Sequence, residues 1–166
     1  MHVWEEAVTD GAPRVGIGFD THPWAQEARP LWLGGVRFDD DPGLSGHSDG
    51  DVVCHAIADA VLGAAAQGDL GRHFPDDDPA HAGITGAELL ERTLEIAGRF
   101  GFAVSSCDTT VICGRPSIVP RSEDMRSSLA NALGISLDAV SVKATRPEGL
   151  GLSGDGVGCM AVVVLT

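Results

Sequence analysis

These 166 residues hold no cluster of lysines or arginines, no CxxC pair, and no apolar stretch near the roughly 20 residues of a membrane span. Each absence removes a class of function. With 11 Lys and Arg against 24 Asp and Glu, the formal net charge is -13. Such a surface repels a phosphate backbone, so nucleic acid is not expected as a partner. The four cysteines, Cys54, Cys107, Cys113 and Cys159, are spaced neither as metal-binding pairs nor as a small secreted disulfide framework. Reduced, buried thiols in a cytoplasmic protein are the expected state. Met1 to Pro13 is polar and acidic and lacks the apolar core of a signal peptide. It reads as an N-terminal extension, disordered, ahead of one domain over residues 14–166, and the protein is expected to be soluble and intracellular, with no membrane partner.

What is present suits that domain. Hydrophobic residues make up 43% of the chain, enough for one core at this length. Glycine, at 22 residues, is about twice as frequent as the usual ~7% and implies many tight turns. Arg14 to His22 alternates as a strand, and Leu31 to Leu33 and Val36 to Phe38 flank Gly34-Gly35 as a hairpin. From Ser48, read as a cap, apolar residues recur at helical spacing to about Ala66. Gln67 to Ala82 is polar and rich in Gly, Asp and Pro, and reads as a long functional loop. Helices are expected over about Thr85–Phe100 and Ser122–Leu133, and strands over Phe102–Cys113, Val140–Ala144 and Cys159–Leu165. Alternating strands and helices predict an α/β (α+β) domain, a mixed sheet with helices packed on one face.

Residues i and i+2 of a strand share a face, so Asp20 and His22 project side by side just before Pro23. Asp51, His55 and Asp59 fall at i, i+4 and i+8 of the following helix and make one polar stripe. If the stripe meets the strand end, His55 completes a one-carboxylate, two-imidazole set with an open position, a pattern of catalytic zinc. Asp51 or Asp59 would then orient an imidazole from behind. By spacing alone His55 could equally be an ordinary helix histidine and the two aspartates solvated. His47-Ser48 precedes the helix, where free N–H groups favour an anion such as phosphate; a loop histidine and a plain cap are the alternatives. The carboxylates around Asp69 and Asp76 to Asp78 could hold hydroxyls or a hard cation, or simply be solvated. The Gly-rich run from Leu150 to Gly156 lacks the Lys-Ser/Thr ending of a P-loop.

Taken in order, Gly18-Phe19-Asp20-Thr21-His22, Gly46-His47-Ser48-Asp49-Gly50-Asp51 with His55, Gly68-Asp69-Leu70-Gly71, Phe74-Pro75-Asp76-Asp77-Asp78 and Lys143-Ala144-Thr145 closely resemble the 2-C-methyl-D-erythritol 2,4-cyclodiphosphate synthases, from about Arg14 to Leu165. The resemblance implies a homotrimer with active sites between subunits, acting in the non-mevalonate route to isoprenoids. It implies zinc on Asp20, His22 and His55, and Mg²⁺ or Mn²⁺ on the substrate diphosphate, placed with the help of Glu148. The implied substrate is 4-diphosphocytidyl-2-C-methyl-D-erythritol 2-phosphate, whose 2-phosphate attacks the β-phosphate and expels CMP. His47 and Ser48 would bind phosphate, with Asp20 and His22 also near the substrate. Asp69, Leu70, Gly71, Phe74, Pro75, Asp76, Asp77 and Asp78 would hold the methylerythritol part. Cys113, Gly114, Arg115, Pro116, Ser117, Ile118 and Val119 would hold cytidine, and Thr145 and Leu152 would also touch substrate. His47, Thr145 and Arg146 would act at the transferring phosphate.

The chain departs from the family pattern at three positions. Ser117 stands where a lysine is common, Arg146 where a second threonine is usual, and Asp155 where an arginine lines a cavity on the threefold axis. Three copies of Asp155 would repel an isoprenoid diphosphate there, so none is expected to bind. Ser117 and Arg146 keep two alternatives open: a diverged homologue acting on another cytidylyl or diphosphate substrate, and a non-catalytic binding protein on the same scaffold.

Overall fold

The computed structural model describes residues 11–75, 78, 81, 83–149, 151 and 155–166. Of the residues singled out above, Asp76, Asp77 and Leu152 lie outside the described residues, as do 1–10 of the N-terminal stretch. Four strands form the main sheet: β1 (Arg14–Pro23), β6 (Gly156–Leu165), β4 (Val104–Cys113) and β5 (Val140–Thr145), in that spatial order. β4 and β5 run parallel while the other two pairings are antiparallel, so the sheet is mixed, as expected. A separate hairpin, β2 (Leu31–Leu33) and β3 (Val36–Phe38), turns through Gly34 and Gly35. Both turn residues have positive φ, +61° and +72°, the backbone a two-residue type I′ turn demands.

The helices are α1 (Val52–Ala64), α2 (Leu70–His73), α3 (Gly86–Arg99) and α4 (Ser122–Leu133). None of the helices among the described residues is long and apolar enough to cross a membrane. α4 has the bounds its pattern predicts. α1 begins later than expected, because Asp51 and not Ser48 caps it: the Asp51 carboxylate accepts from the N–H groups of Val53 and Cys54. α2 lies inside the stretch expected to be loop. It is a single turn that no periodicity announces, capped by Asp69, which accepts from Arg72 N–H at 3.0 Å.

α1 is the centre of the molecule, packed against β1 and β6 on one side and α3 on the other. Its approach to the sheet is set by glycine. Gly16 and Gly18 face α1 from β1, and a Cβ on either would fall 1.9 Å from Ala60 O or 2.0 Å from Ala56 O. Alternate glycines in a strand, opposed by Ala56, Ala60 and Ala64, let helix backbone lie directly on strand backbone. The outer face of the sheet is different. Val15 and Ile17 are 67% and 65% exposed, and Phe19, Met160 and Val162 join them in an apolar strip that no helix among the described residues covers.

Candidate metal centre and its two cavities

Because β1 alternates, Asp20 and His22 share the inner face with Gly16 and Gly18, and the close seat of α1 brings His55 beside them. One carboxylate oxygen collects both imidazoles: Asp20 Oδ2 lies 3.0 Å from His22 Nε2 and 3.1 Å from His55 Nδ1. Among the described residues these three form a cluster able to hold a metal ion. Tetrahedral ligands with bonds of about 2.0–2.1 Å stand about 3.3 Å apart, close to the spacings seen.

The hydrogen bonds behind the rings decide what those nitrogens can do. His22 Nδ1 lies 2.6 Å from the Ser45 carbonyl, which can only accept, so Nδ1 carries the proton. In the neutral ring, Nε2 then turns a lone pair toward a carboxylate oxygen. His55 Nε2 is held 3.1 Å from Ser48 Oγ, which leaves Nδ1 for the same oxygen. Lone pairs converging on an anionic oxygen fit a cation, and the bonds from behind are the kind that orient metal-binding histidines. Burial works to raise the Asp20 pKa, but where protons on the rings stand in for the cation, hydrogen bonds and charge from His22 and His55 outweigh it and hold the carboxyl well below the usual range. Asp20 is therefore ionised at neutral pH.

Ser48, and not Asp51 or Asp59, stands behind an imidazole. The buried Asp51 carboxylate turns away from the triad and accepts from Gly34 and Gly35 N–H at 2.8 and 2.7 Å, fastening the hairpin turn to the start of α1. Asp59 accepts from Leu70 N–H at 3.1 Å and holds the start of α2. The expected anion cradle at the start of α1 is also corrected. The Val53 and Cys54 amides already bond Asp51, so an anion there would meet the His47 and Ser48 side chains and not those amides.

The triad opens into a cavity of about 300 Å³ whose wall includes Gly46, His47, Ser48, Leu70, Gly71, Phe74 and Pro75, all anticipated apart from Gly46. His81 also lines it, its ring 5.3 Å from that of Phe74 and its Nε2 3.8 Å from Asp78. No sequence signal marked His81. Asp69 does not line it and is occupied as the cap of α2. A second cavity, about 270 Å³, is walled by Cys113, Gly114, Pro116, Ser117, Ile118, Val119, Thr145 and Arg146, with Ala144. Arg115 is absent from that wall. Its guanidinium lies over the Trp24 ring at 4.8 Å and 3.8 Å from Asp41. Among the described residues the two cavities share no lining residue, and Glu148, at φ +50°, lines neither. Through β6, His22 and Cys113 both pair with Val157, so both cavities sit at the same end of the sheet.

All four cysteines are free and buried. Burial, foremost, pushes the Cys107 thiol to about 12 and that of Cys113 to about 11, and drives Cys54 and Cys159 well above the ordinary thiol range. Thiolate is the reactive form. Native protein at pH 8 is expected to release almost no colour from Ellman's reagent, and four equivalents after unfolding in guanidinium. Rapid stoichiometric reaction of the native protein would contradict this.

Residues 13–166 match the YgbB family. The "Bifunctional enzyme IspD/IspF" of Anaeromyxobacter sp. (strain Fw109-5) is 49% identical over 158 residues, 95% of this chain and 40% of that protein. The chain thus spans about two fifths of the bifunctional relatives it matches. The "2-C-methyl-D-erythritol 2,4-cyclodiphosphate synthase" of Idiomarina loihiensis is 47% identical over 154 residues, covering 92% of this chain and 96% of that one. A solved 2C-methyl-D-erythritol-2,4-cyclodiphosphate synthase with CDP bound is 32% identical and superimposes with a TM-score of 0.84 over 92% of this chain and all of that one.

Proposed function

The chain belongs to the YgbB family, and from that membership we propose that it is a 2-C-methyl-D-erythritol 2,4-cyclodiphosphate synthase of the non-mevalonate route. It converts 4-diphosphocytidyl-2-C-methyl-D-erythritol 2-phosphate to the cyclic diphosphate and CMP. The observation that carries this reading is the single Asp20 oxygen shared by two imidazoles that are each held from behind, at the mouth of a cavity lined by His47 and Ser48.

Asp20, His22 and His55 would hold zinc, and bound zinc would supply a Lewis acid that polarises a phosphoryl oxygen. The substrate's own 2-phosphate oxygen is the nucleophile. Its bond to the β-phosphorus forms as the bond from that phosphorus to the CMP oxygen breaks. No protein nucleophile is needed, so the side chains chiefly position and neutralise. His47 and Ser48 are set to meet phosphate, while Leu70, Gly71, Phe74 and Pro75 close around the methylerythritol part.

The second cavity suits cytidine, a reading supported by the CDP-bound relative of the same fold. Arg146 on its wall forms no ion pair among the described residues and would make a charge-assisted contact with the diphosphate, beside Thr145. Glu148 would serve a Mg²⁺ or Mn²⁺ ion on that diphosphate. Since the cytidine cavity and metal cavity of one chain are separate, a site joining them is best made between copies. The bare apolar strip of Val15, Ile17, Phe19, Met160 and Val162 supports a homotrimer that buries it. Free, buried thiols support the cytoplasm as its compartment.

Incubation with the diphosphocytidyl substrate, Zn²⁺ and Mg²⁺ is expected to yield CMP and the cyclic diphosphate in equal amounts. CMP without cyclic product, or no turnover by zinc-loaded protein, would refute the assignment.

A further inference from the structure

We propose that Arg29 is a positioning residue for the metal centre, acting on both histidine ligands through the loop from Ser45 to Ser48. The proposal rests on the reading of Asp20, His22 and His55 as metal ligands. Each imidazole is oriented by one atom of that loop: His22 by the Ser45 carbonyl at 2.6 Å and His55 by Ser48 Oγ at 3.1 Å. The loop is a coil in which Gly50 N–H donates to Ser48 Oγ and Gly83 N–H to His47 O, but neither bond spans both atoms that hold the rings, so one group must still brace both ends.

Arg29 does so. Its Nη1 donates to the Gly46 carbonyl at 3.0 Å and its Nη2 to the Ser48 carbonyl. One planar fork thus bridges two carbonyls that flank His47, between the two atoms that hold the rings. Arg29 is itself held in place. Ser45 N–H donates to Pro23 O, Ala25 N–H to Gly43 O, and Gly43 N–H to Arg29 O, which zips the segment after β1 to the strand of chain that leads into the loop. Gly43 has no room for a side chain, since a Cβ would fall 2.5 Å from Arg29 Cγ. The same zipper begins one residue past His22. Arg29 therefore ties the His22 side of the centre to the His55 side without touching either ring.

Charge alone predicts the opposite of this role. A guanidinium near a cation site disfavours the cation, so removing it should tighten binding if charge were all that mattered. Removing a group that orients ligands from behind instead weakens binding, commonly by ~10–100-fold. The two predictions differ in sign.

The test is a Zn²⁺ titration of the full chain against a chelating indicator, first with wild type and then with Arg29→Ala and Arg29→Lys, with thermal melts of each metal-free protein. Arg29→Ala is expected to weaken Zn²⁺ by ~10-fold or more and to broaden the visible spectrum of bound Co²⁺, with a metal-free melt close to wild type. Arg29→Lys keeps the charge but reaches one carbonyl only, and should fall between. Unchanged or tighter binding by Arg29→Ala overturns the proposal. So does a folded Arg29→Lys protein with wild-type affinity and spectrum, even where Arg29→Ala fails to fold. A wild-type protein that takes up no zinc overturns the metal reading itself and is recognised before any variant is compared.

Discussion

Replacing His55 with alanine is expected to leave a folded protein that retains little zinc and releases CMP at least ~10³-fold more slowly. Asp20 and His22 alone offer two ligands, one short of the three that hold an ion while leaving a position open for substrate. A Lewis acid at a phosphoryl oxygen is worth several kcal/mol of barrier. At ~1.36 kcal/mol per tenfold in rate, about 4 kcal/mol corresponds to ~10³. The fold should survive because His55 is polar and not a member of the hydrophobic core cluster, with its side-chain bonds made to Asp20 and Ser48 and not to the backbone of α1. Metal content by mass spectrometry, measured with CMP release and a melt, separates the effects. Stoichiometric zinc with wild-type turnover in His55→Ala would remove His55 from the centre.

Much of that centre was legible because it depends on local period. Asp20 and His22 share a face whatever the sheet does next, and the hairpin glycines and α4 follow equally local rules. What the stripe of Asp51, His55 and Asp59 faces is a different kind of question. Spacing puts the three on one side of α1, yet they meet three unlike partners: a hairpin turn, a strand carboxylate and the amide of Leu70. A stripe read from sequence gives direction but not the neighbour. For the same reason spacing offers Asp51 or Asp59 as the orienting group, whereas Asp51 is a buried cap, Asp59 holds Leu70, and the group that orients His55 is Ser48, seven residues before it.

Arg29 and His81 carried no signal at all. Each acts through contacts outside its own element: Arg29 on carbonyls 17 and 19 residues away, His81 on the Phe74 ring seven residues before it. α2 leaves no mark in the sequence pattern because one turn is too short to display a period; its cap and its bond to Asp59 sustain it. One further signal does stand in the sequence. Gly16 and Gly18 alternate in a strand that otherwise reads as regular, which marks close approach by another backbone, and that approach is what puts His55 beside Asp20.

Gly18→Val is accordingly expected to cost about 3 kcal/mol or more and to dismantle the metal centre although it alters no ligand. Its Cβ would lie 2.0 Å from Ala56 O and 2.7 Å from Ala60 N, both backbone atoms of α1, where ordinary contact begins near 3.4 Å. Side chains can rotate away from a collision; a helix backbone can only move as a whole, here by roughly 1.4 Å. Overpacking usually costs ~1–3 kcal/mol, and a backbone collision at the centre of the core belongs at or beyond the top of that range. For a domain of this size that is a fall of roughly 10 °C in melting temperature. Because Ala56 follows His55 directly and Gly18 stands two residues before Asp20, the same displacement pulls the ligands apart, so zinc affinity should fall with stability. Gly63→Ala gives the contrast on the same helix. Nothing lies within 4 Å of a Cβ there, so alanine should stabilise by ~0.5–1 kcal/mol through helix propensity and leave zinc binding unchanged. A Gly18→Val protein that melts within a few degrees of wild type and keeps its zinc would show that α1 does not owe its seat, nor the centre its geometry, to the glycines of β1.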